Sequence, residues 1–508
     1  MNTGGEHSRS LWMEVAAPRA PSLEQRLTAD VAVIGSGIAG VSTAYELSKQ
    51  GLTVIVLDRG PLGRGITSRT TAHLSYSHDD LYGEVISKHG EKRAKECFAS
   101  QYAAISRLDE IRKEERISCD FVRADALLFA AKSDDVKTLE DEIEACKKVG
   151  FAGVDWVRNI KIAGPYARAI RFPEQAHFHP LKYLYGVIAV LKKRGVKFFA
   201  NSAVVKIQEN KKAVKVETKN GSVSANAVVL ATNSPIANRI AVHDKQAPYR
   251  TYAFAAHIKR GSLPDALYWD TEDPYHYVRI QPGEKGKDYL IVGGEDHKTG
   301  EANDADKRFE RLKKWAKEYF PMIGKVTHQW SGQVLDPVDY LPFIGKNPGQ
   351  ERVFIATGDS GQGFTNGPLA GIILAGMISS GKHKWATLHD PARKTASAIK
   401  NFVSENITPV KNFAEYVTPG DVKSESSVKR GEGAIVRAGV SKQAVYRDNK
   451  GKLHKRSASC THTGCIVHWN SFEKCWDCPC HGSHFSPQGE VLNAPAMMPL
   501  AVVKTGKR

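Results

Sequence analysis

Residues Ala29–Gly60 read "ADVAVIGSGIAGVSTAYELSKQGLTVIVLDRG", and the order of residue types in this stretch decides the fold. An apolar run, Val31 to Ile34, meets three glycines, Gly35, Gly37 and Gly40; a helix-like segment carrying Tyr45 and Leu47 follows; a second apolar run, Thr53 to Leu57, ends at Asp58. Strand, glycine turn, helix, strand and terminal acid together describe a βαβ unit that binds a dinucleotide. Gly35 permits the tight turn, Gly37 lets backbone approach a pyrophosphate, Gly40 lets helix pack on strand, and Asp58 accepts from a ribose hydroxyl. The helix N-terminus then faces phosphate charge.

Three further stretches show which dinucleotide to expect. "SANAVVLATN", ending at Asn233, reads as a buried strand entering a small-residue turn, "RVFIATGDSGQGFTNGPLAG" (Arg352–Gly371) repeats the plan of strand, glycine turn and helix start, and "ITSRTTAH" covers Ile66–His73. With the first motif these resemble the flavin-binding pattern of the D-amino-acid oxidase and glycine oxidase superfamily over about three quarters of the chain. The resemblance implies FAD as cofactor, with Gly35, Gly37, Gly40 and Asp58 at the pyrophosphate and adenosine ribose, and Thr70 and Thr71 near the phosphates or the ring. It also implies Val204 at the adenine and Gly358, Asp359, Gly363 and Phe364 beside the ribityl chain and flavin. His73 would lie close to the flavin without a covalent link.

No second GxGxxG is present to receive a nicotinamide cofactor. The reductant is therefore expected to be a small organic molecule that gives hydride to the flavin directly. In this superfamily an arginine in a W-x-G-x-R-P segment clamps the substrate carboxylate. Here the segment reads "WSGQVLDPVDYLPFIG" (Trp330–Gly345), and Val334 takes the arginine's place. Arg279, in "YHYVRIQPG", is a candidate replacement, while Gln333 and Tyr340 are candidates for the substrate pocket; each has an ordinary structural alternative, an ion-paired arginine or a buried hydrogen bond. No general base is evident.

The far end carries a second chemistry. Of 8 cysteines, Cys460, Cys465, Cys475, Cys478 and Cys480 crowd into the tail, in "CTHTGC" (Cys460–Cys465) and "CPCHGS" (Cys478–Ser483). Zinc knuckles use C-x-x-C and H-x-x-x-H intervals that converge on one ion. Here each loop offers one Cys and one His, which suits two metals, with thiolates on one iron and imidazoles on the other. The tail from Gly431 resembles Rieske domains of cytochrome bc complexes. That resemblance implies Cys460, His462, Cys478 and His481 as ligands of a 2Fe-2S cluster and a disulfide between Cys465 and Cys480. It further implies a hydrogen bond from Ser483 to a bridging sulfide and a proline loop in "GEVLNAPA". Phe485 stands where high-potential members carry a hydrogen-bonding tyrosine, so a lower potential is expected.

The expected fold class is α/β: a Rossmann-like FAD-binding domain with an inserted α+β substrate domain, plus a small C-terminal all-β Rieske domain. The expected boundaries are 1–28 for an N-terminal extension and 29–390 for the oxidoreductase, its substrate domain inserted near 91–174 and 236–349, then 391–430 for a linker and 431–508 for the Rieske domain. The 508 residues carry a net charge of +17, but runs such as "KHGEKRAKE" interleave both signs at helical spacing and read as solvated helix faces, so no nucleic-acid partner is expected. No apolar run reaches the roughly 20 residues of a membrane span. The start lacks a secretory pattern, and a cytoplasmic location is expected.

The composite resembles bacterial flavin oxidoreductases fused to a Rieske domain. The resemblance implies a dehydrogenase of a small amine, amino acid or related compound that passes electrons through the cluster to an unknown external acceptor. Two other readings are an oxygen-using oxidase with a structural or sensing Rieske domain, and an electron-transfer component for a partner oxygenase.

Overall fold

The computed structural model describes residues 6–157, 160–163, 168–236, 242–394 and 415–503. The first βαβ unit forms as its residue pattern requires: strand Arg26–Ile34, helix Ile38–Lys49 and strand Val54–Leu57, with Val31 paired in parallel to Val54. The apolar half of the first strand is buried on both faces, the usual state of a central parallel strand. Strands Ser222–Leu230, Val353–Thr357 and Phe343–Lys346 continue the sheet on one side and Lys197–Phe199 on the other, giving eight strands when the hairpin Val204–Glu209 and Val214–Thr218 is included.

A second sheet of nine strands stands apart from the first and supplies the inserted domain. Its long strands, Gln246–Lys259, Lys287–Lys298 and Val326–Pro337, pair antiparallel. Strand Phe343–Lys346 lies inside the expected insertion but pairs instead with Val353–Thr357 in the dinucleotide sheet, because the turn at Tyr340, at φ +69°, brings the chain back.

The tail forms two small antiparallel sheets, one of three strands (Glu432–Ala438, Ser441–Arg447, Leu453–Ser457) and one of four (His468–Asn470, Cys475–Asp477, His484–Phe485, Val491–Asn493). Their core is built on Trp469, Trp476 and Phe485 with the four cysteines of the two loops. Of the expected linker, residues 395–414 lie outside the described residues. Among those described, no helix is long and apolar enough to cross a membrane.

Candidate active site and cluster loops

The glycine turn is shaped by contacts that leave no room for a side chain. Gly35 has φ +104°, and a Cβ there would sit 2.2 Å from the Ala231 carbonyl oxygen; one on Gly40 would sit 1.9 Å from that of Gly35. Asp58, at the end of its strand, accepts hydrogen bonds of 2.9 Å from the backbone N–H groups of Ser36 and Gly60. Beyond this turn opens a cavity of about 960 Å³, whose lining includes Gly35, Gly37, Asp58, Thr70, Thr71, Val204, Asp359, Gly363 and Phe364. Gly40 packs behind it, and Gly358 forms the turn at φ +71° one residue off the lining. The Asn233 Nδ2 atom at the cavity wall is enclosed and has no hydrogen-bond partner. A cradle of close backbone and an unmet donor fits a dinucleotide.

Gln333, Val334 and Tyr340 also line the cavity. Arg279 does not: its guanidinium is fully buried, donates to the Phe178 carbonyl (3.2 Å) and Gln281 Oε1 (2.5 Å), and lies 5.2 Å from the Trp12 ring centre. The candidate replacement for the missing arginine is thus bonded to Phe178 and Gln281 and is not part of the cavity lining. His73 does reach the lining; burial first, then the nearby Arg279 charge, lowers its pKa to about 3, so the ring is neutral.

A group that no motif announced shares the cavity wall. Asp79, Asp80, Asp296, Asp336 and Asp359 all line it. Burial raises Asp79 to about 8 with help from the charge of Asp80, Asp80 and Asp296 to about 7, Asp359 to about 6, and Asp336 well above the carboxylate range. The folded chain thus holds protons that an unfolded chain releases near pH 4, and stability falls as pH rises through the folded values. The melting temperature is expected to be higher at pH 6 than at pH 8, and Asp79→Asn should flatten that slope; an unchanged slope in a pH series of thermal melts would contradict this assignment.

The two cysteine loops share one backbone plan. Cys460 N–H donates to the Cys465 carbonyl (2.8 Å) and Gly464 N–H to that of Cys460 (2.9 Å); Cys478 N–H donates to Ser483 (2.8 Å) and Gly482 N–H to Cys478 (3.0 Å). Cys465 and Cys480 form a disulfide that ties the loops together, with Cα atoms 6.4 Å apart. Cys460 and Cys478 are buried, and a hydrogen bond from Cys478, with others from the backbone of His462 and the side chain of Ser483, holds Cys460 below the usual thiol range. The His462 and His481 rings stand 4.9 Å apart at 84°, and His481 Nδ1 is enclosed without a partner. Two thiols, two imidazoles and an unmet ring nitrogen fit a mixed-ligand 2Fe-2S cluster. Cys475 is turned away, bonded to Asp477 Oδ1 at 3.2 Å, and Phe485 is wholly buried.

The Rieske loops do not stand free. The His243 ring, from the oxidoreductase part, lies 4.9 Å from that of His462 and 5.6 Å from that of His481, and Asp244 Oδ1 is 3.3 Å from His481 Nε2. Gln333 Nε2 donates to the Gly482 carbonyl at 3.0 Å, and its Oε1 is 2.7 Å from His484 Nε2.

Beside these contacts lies a buried ionic network. Arg250, fully buried, reaches Glu6 (3.1 Å), Asp477 (3.0 Å) and Ser331 Oγ (2.9 Å); Arg69 reaches Glu6 (3.0 Å) and Glu473 (3.1 Å). Burial alone would raise Glu6, but Arg69 and Arg250 hold it well below the usual carboxylate range. Ser8 Oγ also donates to Glu473 (2.5 Å), so residues 6–13 are wedged between the two parts of the molecule. Glu6, Arg69, His243, Arg250 and Asp477 escaped the sequence reading because they belong to no local pattern.

Fold, cavity and cluster loops together define a flavoprotein oxidoreductase with an iron–sulfur domain, and the chain belongs to the FAD dependent oxidoreductase family, which residues 30–377 match. Residues 418–504 match the Rieske [2Fe-2S] domain. The oxidoreductase domain binds FAD, and the Rieske domain binds a 2Fe-2S cluster. A curated relative of matching length is the putative Rieske 2Fe-2S iron-sulfur protein YhfW of Bacillus subtilis (strain 168), 29% identical over 489 residues and covering 95% of each chain. Gamma-glutamylputrescine oxidoreductase of Escherichia coli (strain K12) is 26% identical over 393 residues, 73% of this chain and 88% of that one. Among solved structures, glycine oxidase from Geobacillus kaustophilus superposes with a TM-score of 0.62 at 18% identity, over 73% of this chain and 100% of that one.

Proposed function

We propose that this chain is a flavin-dependent dehydrogenase: a small organic substrate, an amine, an amino acid or a related compound, is oxidised in the cavity, and its electrons leave through the Rieske domain to an external acceptor. The supporting observation is a shared wall. Glu490 to Ala494, Ala496 and Met497 of the Rieske part line the same cavity as the dinucleotide turn. When bound, FAD supplies two-electron acceptance with release one electron at a time, and a cluster with imidazole ligands supplies one-electron acceptance at raised potential.

The chain's own residues do the holding and the sealing. Gly35, Gly37 and Asp58 would face the pyrophosphate and ribose, with Gly40 packing the helix behind them. Thr70 and Thr71 would lie near the phosphates or ring, Val204 at the adenine, and Gly358, Asp359, Gly363 and Phe364 along the ribityl chain and ring. Cys460 and Cys478 would hold one iron, His462 and His481 the other. His243 and Asp244 lie against the imidazoles on the oxidoreductase side, where they would hold the two ligand rings in place. The division into 1–28, 29–390, 391–430 and 431–508 goes with this reading.

The test is anaerobic mixing of the fully loaded protein with a panel of amines, amino acids and hydroxy acids, read by flavin absorbance and by electron paramagnetic resonance of the cluster. One or more compounds should bleach the flavin and bring up the reduced-cluster signal together. Rapid hydrogen peroxide formation that persists in a His462→Ala/His481→Ala protein would replace this reading with an oxidase. Failure of every compound to bleach the flavin would replace it with an electron-transfer component.

A further inference from the structure

Five of the cavity carboxylates come from separate segments: Asp79 and Asp80 from the turn before helix Tyr82–His89, Asp296 and Asp336 from two strands of the second sheet, and Asp359 from the turn before helix Gly363–Ser380. They form one group, since Asp336 feels the charges of the other four. Among the described residues none of the five is ion-paired with Lys or Arg; Asp80 has His78 at 3.7 Å. Two arginines also line the cavity: Arg69 is matched by Glu6 and Glu473, and Arg59 lies in the field of Asp58 and Glu6. Crowded, enclosed carboxyls keep their protons until a cation joins them.

Two acceptors are open as well. Asp296 Oδ1 is enclosed and has no partner, and so is Oδ1 of Asn366, a separate residue only 4% exposed whose Nδ2 donates to the Asp359 carbonyl. Acceptors without donors call for N–H groups, and charged ones bind most strongly. The walls between them are aromatic: Tyr275 and Tyr277 line the cavity with ring centres 5.4 Å apart, a surface that suits methylene groups and ammonium faces. A carboxylate would meet Val334 where a guanidinium is needed, and a wall of acidic groups that ionise only when a cation joins them.

We propose that the cavity takes an aliphatic diamine, an elongated dication without a carboxylate, as substrate. This inference rests on the dehydrogenase reading for its chemistry but not for its binding test. That test is anaerobic isothermal titration calorimetry of the fully loaded protein with 1,4-diaminobutane, butylamine, 4-aminobutanoate and glycine. The diamine should bind roughly tenfold or more tighter than butylamine, and the two amino acids should bind far more weakly than either. Asp296→Asn should weaken diamine binding roughly tenfold. Should that variant fail to fold, Val334→Arg, which places a fixed cation in the same wall, should abolish diamine binding while FAD content is kept. Equal or tighter binding of 4-aminobutanoate or glycine, or a diamine affinity that survives both variants, overturns the proposal. Diamine binding without flavin bleaching would keep the cavity's preference for dications but overturn the diamine as substrate; bleaching by amino acids with no diamine binding would overturn the proposal and leave the dehydrogenase reading standing.

Discussion

Arg250→Ala is expected to cost about 3–5 kcal/mol and to loosen the Rieske domain from the rest of the molecule, because it leaves buried carboxylates without their countercharge. Arg250 is fully buried and touches Glu6, Asp477 and Ser331, one from each of three distant parts of the chain. Removing it strips Asp477 of its guanidinium and leaves Glu6 with Arg69 and the His484 ring. Thermal melts should show a lowered or split transition, and limited proteolysis should open the segment between the domains. Arg250→Lys should recover only part of the loss, since one ammonium cannot reproduce the guanidinium fork. A drop below about 1 kcal/mol, the size of a surface pair, would mean that the network does not hold the domains together.

Cys460→Ser is expected to remove the cluster altogether. The two buried thiols at Cys460 and Cys478 share one hydrogen bond and sit on loops of matching backbone plan, so loss of either would leave an iron without one of its two protein ligands. Iron and labile sulfide in the purified protein should fall to near zero while FAD is retained. Cys475→Ser is the control: that thiol is bonded to Asp477 and lies outside the ligand set, so iron content should not change. Iron retained in Cys460→Ser, or lost in Cys475→Ser, would reassign the ligands.

How much of this the sequence disclosed follows from how local each feature is. The dinucleotide turn was legible because Gly35, Gly37, Gly40 and Asp58 lie within a single βαβ unit, and the cluster loops because each repeats a Cys/His pattern within six residues. The ionic network joins Glu6, Arg69, Arg250 and Asp477, and the acidic wall joins residues from 79 to 359; only the tertiary fold brings either set together. Arg279 was left open between two roles for a related reason. Its strand was recognisable, but the direction taken by a long side chain depends on Phe178, Gln281 and Trp12, none of which is adjacent to it in sequence. Gln333, a candidate for the pocket or for a buried hydrogen bond, lines the cavity and also bolts it to Gly482 and His484.

The wedge formed by residues 6–13 carries a consequence for biosynthesis. His7 N–H donates to the Glu473 carbonyl at 3.0 Å, and Ser8 closes on the carboxylate of the same residue. During translation the first of these partners emerges from the ribosome more than four hundred residues ahead of the second, so the seam cannot be sewn as the chain is made. The early segment must wait, solvated, until the last domain has folded, and any bulky fusion placed just before it would stand in the doorway at the moment of closure.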